Sequence, residues 1–348
     1  MKPLVIALSG INATDNPGPG VAIARSLKES GRPVRIIGLG YDANDPGHYL
    51  KSWIDQSYLL PYPSKGWKVV SERLQTIRNE TGFEFLLPNL DVELPLYIKY
   101  ANELKIMGIR CLLPTQEQFD LRSKANLTVL TDAIGCQYPK TECAYSIDEL
   151  YKIIPEKIDF PAVVKGNYYK AYKVYNHSSA VEKATEIAAE WGFPLVIQKY
   201  IEGPEINLIG LGDGQGELCG CVCIKKQTKT DLGKVWTAVT IHDEQLIELA
   251  KSFCKTTKWR GPFELEAMRH QQQIYLIEIN PRFPAWVYFA TAVGVNLPDR
   301  MLDFILTGEC NRDLSYPVSK HLIRFTQECV GDWDLFHDLI TLGQQGAS

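Results

Sequence analysis

Apolar runs and amphipathic segments alternate along the N-terminal third of the chain. Four apolar runs have the length of buried strands: residues 4–8, 34–39, 85–87 and 110–113. Two segments between them, residues 17–29 and 92–107, have helical spacing of their apolar positions. Alternating strands and helices of this length predict a parallel sheet with crossover helices. Residues 1–120 are therefore predicted to form a Rossmann-like domain.

From residue 121 the pattern changes to that of an α+β unit. Helices are predicted at residues 123–135, 146–154, 181–191, 242–257 and 286–306. Strands are predicted at residues 138–141, 160–165, 195–200, 205–211, 218–226, 234–240, 261–269 and 273–278, with the last two forming a hairpin. The predicted division is a first subdomain at residues 121–195 and a second at 196–330. The tail at 331–348 shows no stop element, so it is predicted to be flexible or truncated.

Composition and charge narrow the function classes. The 348-residue chain is 45% hydrophobic, with a net charge of −4 and scattered basic residues, which argues against a dedicated nucleic-acid binder. No apolar run reaches the roughly 18–20 residues of a membrane span, and the N-terminus is predicted to be a strand rather than a signal peptide. A cytoplasmic location is the default expectation. Among nine cysteines, the alternation of Cys219, Cys221 and Cys223 predicts one buried strand face rather than a metal site.

A glycine-rich turn follows the first predicted strand. Ser9-Gly10 and Gly18-Pro19-Gly20 precede the first helix, where they either form a structural turn or present N–H groups to an anion. The segment is not GxGxxG and lacks an acidic residue placed for a ribose. An NAD-dependent dehydrogenase is therefore disfavoured.

The segment with the clearest chemistry is the predicted hairpin near residues 261–282. Period-two alternation places Glu264 and Glu266 on one face, and Glu278 and Asn280 likewise. Clustered oxygen ligands on a rigid sheet suit Mg²⁺, which completes its shell with substrate phosphates. Arg282 lies two residues beyond Asn280, where it can bind a transferring phosphoryl group. Because Glu278 lies in an apolar strand, we expect it to need a cation rather than to sit on an exposed edge.

On these residues the chain resembles the ATP-grasp superfamily over residues 121–306. The motif Glu278-Ile-Asn280-Pro-Arg282 is similar to the metal-binding motif of that family, and Glu266 precedes Glu278 by the twelve residues typical of its carbamoyl phosphate synthetase and biotin carboxylase branch. The resemblance implies a Rossmann-like domain followed by a two-subdomain ATP-grasp fold. It also implies that Glu266, Glu278 and Asn280 bind Mg²⁺, with Mn²⁺ as an alternative metal. Glu264 is the other candidate for the first ligand.

Further motifs recur in the family's order, and their roles are implied by the resemblance alone. Lys124 and Lys165 resemble lysines that contact the nucleotide. Gln198-Lys199-Tyr200-Ile201 resembles the hinge that pairs with adenine, and Glu205 resembles the acid that binds the ribose. Lys225 or Lys226 resembles a basic residue near the γ-phosphate; we assign Lys225 together with Arg282 to catalysis, and Lys226 to nucleotide binding.

One segment departs from the family pattern. Where a glycine-rich loop is expected after Lys165, the sequence has a single glycine, Gly166, followed by a loop rich in tyrosine and lysine. Lys170 and Lys173 are candidates to replace the missing backbone donors, a specialised partner such as a peptide is a second interpretation, and a degraded loop is a third.

The resemblance implies an ATP-dependent carboxylate–amine ligase that forms an amide through an acyl phosphate. Its substrates would be small molecules or peptides, and a homodimer stays open. Trp286 and Tyr288 are either a wall of the acceptor site or packing residues. The alternatives are a biotin-carboxylase-like enzyme that activates bicarbonate, and a non-catalytic ATP-binding sensor or scaffold.

Overall fold

A computed structural model describes residues 2–13, 17–166, 171–231 and 233–345. The helices of the described part are α1 Pro19–Lys28, α2 Trp67–Thr81, α3 Leu94–Lys99, α4 Ala101–Ile106, α5 Gln116–Asp120, α6 Lys124–Ile134, α7 Ile147–Glu156, α8 His177–Trp191, α9 Glu244–Thr257, α10 Val287–Ala292, α11 Leu297–Thr307 and α12 Trp333–Leu342. Its strands are β1 Leu4–Leu8, β2 Val34–Gly40, β3 Gln56–Leu59, β4 Phe85–Leu87, β5 Thr141–Ala144, β6 Ala162–Lys165, β7 Ala171–Val174, β8 Leu195–Lys199, β9 Glu205–Asp213, β10 Leu218–Lys229, β11 Val235–Ile241, β12 Arg260–His270, β13 Gln273–Asn280 and β14 His321–Ile323. No described helix is long and apolar enough to cross a membrane.

The N-terminal sheet is parallel, in the order β3-β2-β1-β4. Two predictions for this region were wrong in detail. Residues 110–113 contribute only a bridge from Arg110 to Phe85, and Pro114, which has no amide hydrogen, follows them directly. The helix predicted at 92–107 is two short helices, because Tyr100 between them leaves helical geometry at φ −109° and ψ 26°.

Two antiparallel sheets follow. The smaller has the order β5-β8-β6-β7 and packs on α7 and α8 around a core of its own. The larger has six strands in the order β13-β12-β9-β10-β11-β14. The strand predicted at 138–141 begins three residues later, and the helix predicted at 286–306 is interrupted between α10 and α11.

A shared core joins the N-terminal sheet to the six-stranded sheet. It contains Ile6 and Ile36 from the parallel strands, Ile209 and Val222 from β9 and β10, and residues of α10 and α11. The opposite face of the six-stranded sheet is covered by α6 and α9. Because the two sheets share one close-packed core, the carboxyl edge of the parallel sheet is held beside the acidic hairpin.

The prediction that Cys219, Cys221 and Cys223 share one buried face of β10 was wrong. The backbone is irregular between Leu218 and Cys221, where Gly220 has φ +134°, so the alternation is lost. Cys221 and Cys223 lie in the core under α9, whereas Cys219 lies in the other core and forms a disulfide with Cys310.

The C-terminal segment is held against the N-terminal sheet. Gln344 forms a bridge with Tyr58, the amide of Leu59 donates to the carbonyl of Gly343 at 2.8 Å, and that of Gln345 donates to the carbonyl of Ser57 at 3.2 Å. The flexible tail expected from residue 331 is thus ordered through Gln345, because its backbone pairs with the edge strand β3.

Candidate active site on the acidic hairpin

The hairpin places four polar side chains in two directly opposed pairs. Glu264 faces Asn280 across the strands, and Glu266 faces Glu278. Both pairs lie on the face that packs toward α10, since the Trp286 side chain reaches Glu264. The period-two arrangement predicted from the sequence is therefore present.

Glu264 is buried, at 3% exposure, and is surrounded by donors. It accepts hydrogen bonds from Asn207 Nδ2 at 2.8 Å, Asn280 Nδ2 at 3.0 Å and Trp286 Nε1 at 2.7 Å. Burial and the neighbouring carboxylate of Glu266 raise the pKa of Glu264 to about 7, while the three N–H donors favour its ionised form. With its oxygens occupied by these donors, Glu264 is suited to orienting Asn280 rather than to binding a metal.

Glu266 lies in a chain of alternating charges. Its carboxylate accepts from Lys226 Nζ at 3.0 Å and from Asn280 Nδ2 at 2.9 Å. Lys226 also bonds Glu205, which pairs in turn with Lys229 at 2.9 Å. Burial alone would raise the pKa of Glu266, but the Lys226 ammonium lowers it to about 2. Burial alone would likewise lower the pKa of Lys226, and the carboxylates of Glu266 and Glu205 raise it above its ordinary value.

Glu278 differs from the other two glutamates. It lies on β13, the edge strand of the sheet, and its side chain is exposed, so the expectation that it would avoid an exposed edge was wrong. No hydrogen bond or ion pair joins its carboxylate to another residue of the described part. The surrounding protein removes part of the solvent around the Glu278 carboxylate. This desolvation and the like charge of Glu266 raise the pKa of Glu278. A cation in the cleft would relieve that repulsion.

The loop after β4 closes one side of the site. Arg282 donates to Asp91 through Nε at 2.9 Å, and its second contact with Asp91 is also 2.9 Å. Arg122 pairs with the other oxygen of Asp91 at 3.3 Å. Arg282 further reaches Asn280 Oδ1 at 3.4 Å. Arg282 is thus held between the N-terminal sheet and the hairpin.

The smaller antiparallel sheet contributes Lys165 to the same cleft. Lys165 Nζ donates to Gln198 Oε1 at 2.7 Å, and Gln198 Nε2 donates to Thr141. Burial lowers the pKa of Lys165, and the charges of Glu278, Glu266 and Glu205 oppose that change. Lys165, on the smaller sheet, is therefore within electrostatic range of three acids on the six-stranded sheet.

The predicted hinge lies at the end of β8. Gln198 is buried, while Lys199 is half-buried and its Nζ approaches the carbonyl oxygen of Asp159 at 3.4 Å. Tyr200 carries the Lys173 ammonium over its ring, 3.6 Å from the centroid, and Ile201 is half-buried beside it. Tyr200 can therefore offer an aromatic surface next to the hinge backbone.

Several predicted positions are not placed in the cleft. Lys225 is exposed and its side chain makes no hydrogen bond to another described residue, because successive residues of β10 point to opposite faces and Lys226 takes the inner one. The catalytic prediction for Lys225 is therefore not supported. Lys124 begins α6, but its side chain, like residues 167–170 of the loop after Lys165, lies outside the described part.

Trp286 and Tyr288 differ in position. Trp286 is buried and donates to Glu264, so it packs and also supports the site. Tyr288 points away from the hairpin: its hydroxyl donates to Glu29 at 2.8 Å, and its ring lies 3.6 Å from the Arg25 guanidinium carbon. Tyr288 is thus a packing residue between α10 and α1.

The donor set fits Mg²⁺ held jointly with phosphates. In the described part, no three His, Cys, Asp or Glu side chains form a self-sufficient metal site. Glu278 has a carboxylate with no hydrogen-bond or ion-pair partner among the described residues, Glu266 lies opposite it, and Asn280 Oδ1 is directed at Arg282. Mg²⁺ takes one or two carboxylates and fills its remaining positions with phosphate oxygens and water. A cavity of about 560 Å³ near Gln137 and Gln273 is lined by none of the predicted site residues.

Three contributing residues were missed in the sequence. Asn207, whose Oδ1 is buried without a partner in the described part, shares a strand face with Glu205 at a spacing of two. Asp91 and Arg122 come from outside the hairpin. The available signal for Asp91 was its place just after a buried strand of a parallel sheet, where ligand-binding residues collect.

Comparison with known proteins identifies relatives of both the sequence and the fold. Residues 173–327 match the family model described as ATP-grasp in the biosynthetic pathway with Ter operon. The carbamoyl phosphate synthase large chain of Clostridium acetobutylicum is 26% identical over 237 residues, which is 64% of this chain and 22% of the relative. That of Thermomicrobium roseum is 25% identical over 260 residues, or 70% of this chain and 24% of the relative. The chain thus spans less than a quarter of these curated relatives.

Solved structures resemble the chain over most of its length. Biotin carboxylase from Campylobacter jejuni, in a complex named for β,γ-ATP, has a TM-score of 0.68 and 16% identity, covering 91% of this chain and 74% of its own. An L-amino acid ligase from Bacillus licheniformis has a TM-score of 0.65 and 16% identity, covering 88% and 75%. The biotin carboxylase domain of a Hydrogenobacter thermophilus carboxylase, with MgADP and bicarbonate, has a TM-score of 0.65 and 19% identity, covering 91% and 73%. At these identities the likeness shows the fold alone.

Proposed function

We propose that the chain is an ATP-grasp ligase that joins a carboxylate to an amine at the expense of ATP; the family match over residues 173–327 and the likeness of its fold to biotin carboxylase support this. The observation that carries the proposal is one juxtaposition. Lys165 from the smaller sheet lies near enough to Glu266 and Glu278 of the hairpin for their charges to raise its pKa, and Arg282 lies beside Asn280. This set offers positive charge for phosphates and free oxygens for a divalent cation.

The proposed nucleotide position follows from the elements that meet at the cleft. The hinge backbone at the end of β8 pairs with the adenine, and Tyr200 supplies an aromatic face. Glu205 binds the ribose hydroxyls, which requires it to exchange its ion pair with Lys229 for ligand contacts. Lys165 and Lys226 contact the phosphates, as does Lys124. Mg²⁺ bound by Glu266, Glu278 and Asn280 would neutralise charge on the phosphate oxygens.

The proposed reaction has two displacements. A substrate carboxylate oxygen attacks the γ-phosphorus, the bond from that phosphorus to the bridging oxygen breaks, and ADP leaves. Arg282 stabilises the charge on the transferring group, and the hairpin keeps the reactants in place. An amine then attacks the acyl carbon, the carbon–oxygen bond to phosphate breaks, and the amine loses a proton. The chain holds the acyl phosphate away from water.

A specific observation favours a second candidate function. Two structural relatives are biotin carboxylases, and one of them was determined with bicarbonate. In that candidate, bicarbonate is the carboxylate that is phosphorylated. Against it, the amino acid ligase resembles the chain to a similar degree, with a TM-score of 0.65. We therefore place the amide-forming reaction first, with amino acids or peptides as the class of substrate.

The test is ADP release measured with a panel of amino acids, peptides and bicarbonate. Glu278→Gln removes the free carboxylate of the cleft, and Glu84→Gln changes an exposed glutamate beside β4 as the matched control. We expect release that needs both a carboxylate and an amine, that falls at least about a hundredfold in Glu278→Gln and that is unchanged in Glu84→Gln. Release driven by bicarbonate alone supports the second candidate. Nucleotide binding with no release for any pair would favour a sensor or scaffold.

A further inference from the structure

Asp91 is the residue of the N-terminal sheet that reaches the hairpin arginine. Its Oδ2 accepts both short bonds of Arg282, each 2.9 Å, whereas the other contacts of that guanidinium, with Asn280 and the carbonyl of Phe283, are 3.4 Å. The three side chains Asp91, Arg122 and Arg282 are 32%, 26% and 21% exposed. The Asp91–Arg282 ion pair is thus partly buried and still reached by solvent, which suits a contact beside a ligand cleft.

The loop that carries Asp91 is held in place by hydrogen bonds to a buried carboxylate. Glu93 is fully buried, and its Oε1 accepts the amides of Asn89 at 2.8 Å and Leu90 at 2.9 Å. Ser9 and Tyr41, which follow β1 and β2, donate to the same carboxylate. Buried carboxylates with several donors hold backbone in one arrangement. The ends of three parallel strands therefore determine where Asp91 lies.

Arg282 has little else to fix it. A long side chain at the end of an edge strand has many rotamers, and its remaining bonds are at the long limit of hydrogen bonding. A group that stabilises a transferring phosphoryl must be held close to its final geometry before the reaction.

We propose that Asp91 is the positioning residue for Arg282, so that the N-terminal sheet fixes the charge that meets the γ-phosphate. This inference rests on the proposed function, because it assumes that a nucleoside triphosphate occupies the cleft. It assigns the loop after β4 a role in selecting the triphosphate over the diphosphate. Asp91 touches neither the nucleotide nor the reacting atoms; it acts through Arg282.

The experiment compares the affinities of two probes, MgADP and Mg²⁺ with the non-hydrolysable β,γ-imido analogue of ATP, by isothermal titration calorimetry. Asp91→Asn keeps the shape and removes the charge. We expect it to reduce the preference for the triphosphate analogue about tenfold while the dissociation constant for MgADP changes less than about twofold. Asp91→Glu should restore most of the preference. Asp91→Ser is a second variant with the same expected loss, should Asp91→Asn fold poorly.

The matched control is Asp299→Asn. It removes another Arg–Asp pair between the N-terminal sheet region and α11, Arg32 with Asp299 at 2.9 Å, which lies away from the hairpin. Its triphosphate preference should equal that of the wild type. An unchanged preference in the Asp91 variants would overturn the positioning role and leave the proposed function intact. An equal loss of affinity for both probes would assign Asp91 a general structural role instead. A wild-type protein that binds neither probe would contradict the proposed function and, with it, this inference.

Discussion

Lys226 should be the most sensitive single position of the acidic site. Its side chain is 4% exposed and neutralises Glu266 and Glu205, which are 23% and 16% exposed. Lys226→Met keeps a similar length and apolar stem but removes the ammonium. Glu266 then loses its only ion-pair partner among the described residues, and Glu205 keeps only the pair with the more exposed Lys229. Removing one partner of a buried ion pair typically costs about 3–5 kcal/mol.

The pKa of Glu266 gives an independent magnitude. Its ordinary value is 4.5 and Lys226 lowers it to about 2. That lowering of the pKa corresponds to roughly 3 kcal/mol of stability. A carboxyl whose folded pKa is depressed contributes that stability above its unfolded pKa, and the contribution is lost as the pH falls toward 2. The linkage relation gives roughly 3 kcal/mol at pH 7 and roughly 2 kcal/mol at pH 3.5.

The assay is urea unfolding in EDTA, followed by the fluorescence of the buried Trp259 and Trp286. The stability deficit of Lys226→Met should be about 3 kcal/mol at pH 7 and should shrink by roughly 1 kcal/mol at pH 3.5. Lys225→Met is the matched control, because this neighbour is exposed, and it should change stability by less than about 0.5 kcal/mol. The reasoning fails if both variants behave alike, or if the deficit of Lys226→Met does not depend on pH.

Three further predictions concern the surroundings of the site. Trp286→Phe removes a donor from buried Glu264 and should lower the free energy of unfolding by about 1–3 kcal/mol; equal urea midpoints would contradict this. Gly203→Ala places a Cβ 1.9 Å from the carbonyl oxygen of Arg269 at φ +146°, so a loss of more than about 1 kcal/mol is expected in thermal unfolding. Tyr41→Phe removes one donor from the buried carboxylate at the end of the N-terminal sheet and should cost about 1.5–3 kcal/mol by urea unfolding, with wild-type stability as the opposing result.

The fold was predictable where the sequence pattern is periodic and long. Five strands of the six-stranded sheet, β9 to β13, and the α9 helix carry clear alternation or helical spacing, and their positions were predicted within a few residues, whereas the short strand β14 was not predicted. The parallel strands at Leu4–Leu8 and Val34–Gly40 were visible as apolar runs. The likeness of the chain to ATP-grasp structures agrees with the fold class inferred from the hairpin motif.

What could not be predicted depends on tertiary contacts. The strand Gln56–Leu59 is short and gives no strong local pattern. Helix α2 was missed although its buried residues Val70, Leu74 and Ile77 have helical spacing. The ordered C-terminal tail depends on pairing with a strand almost 290 residues earlier, as the bridge between Tyr58 and Gln344 shows. The irregularity near Gly220 inverted the cysteine face, since one irregular position shifts every later side chain to the other side.

The candidate site was predictable as a hairpin but not as a cluster. Glu266, Glu278 and Asn280 share one face because strand geometry requires it. The choice between Lys225 and Lys226 could not be made from their order, because it depends on which face β10 buries. Asp91 and Arg122 are absent from any local motif, and only the packing of the parallel sheet on the hairpin brings them to Arg282.

The most direct test of the central claim is the transfer of ¹⁸O from a labelled carboxylate substrate to inorganic phosphate. The wild-type enzyme is incubated with MgATP, an amine and the ¹⁸O-labelled carboxylate that gives the fastest ADP release, and the phosphate is analysed by mass spectrometry. An acyl phosphate requires one labelled oxygen in each phosphate formed with the amide, at one phosphate per ADP. Amide formation with unlabelled phosphate, or ADP release in which the accompanying phosphate is unlabelled, would contradict the account.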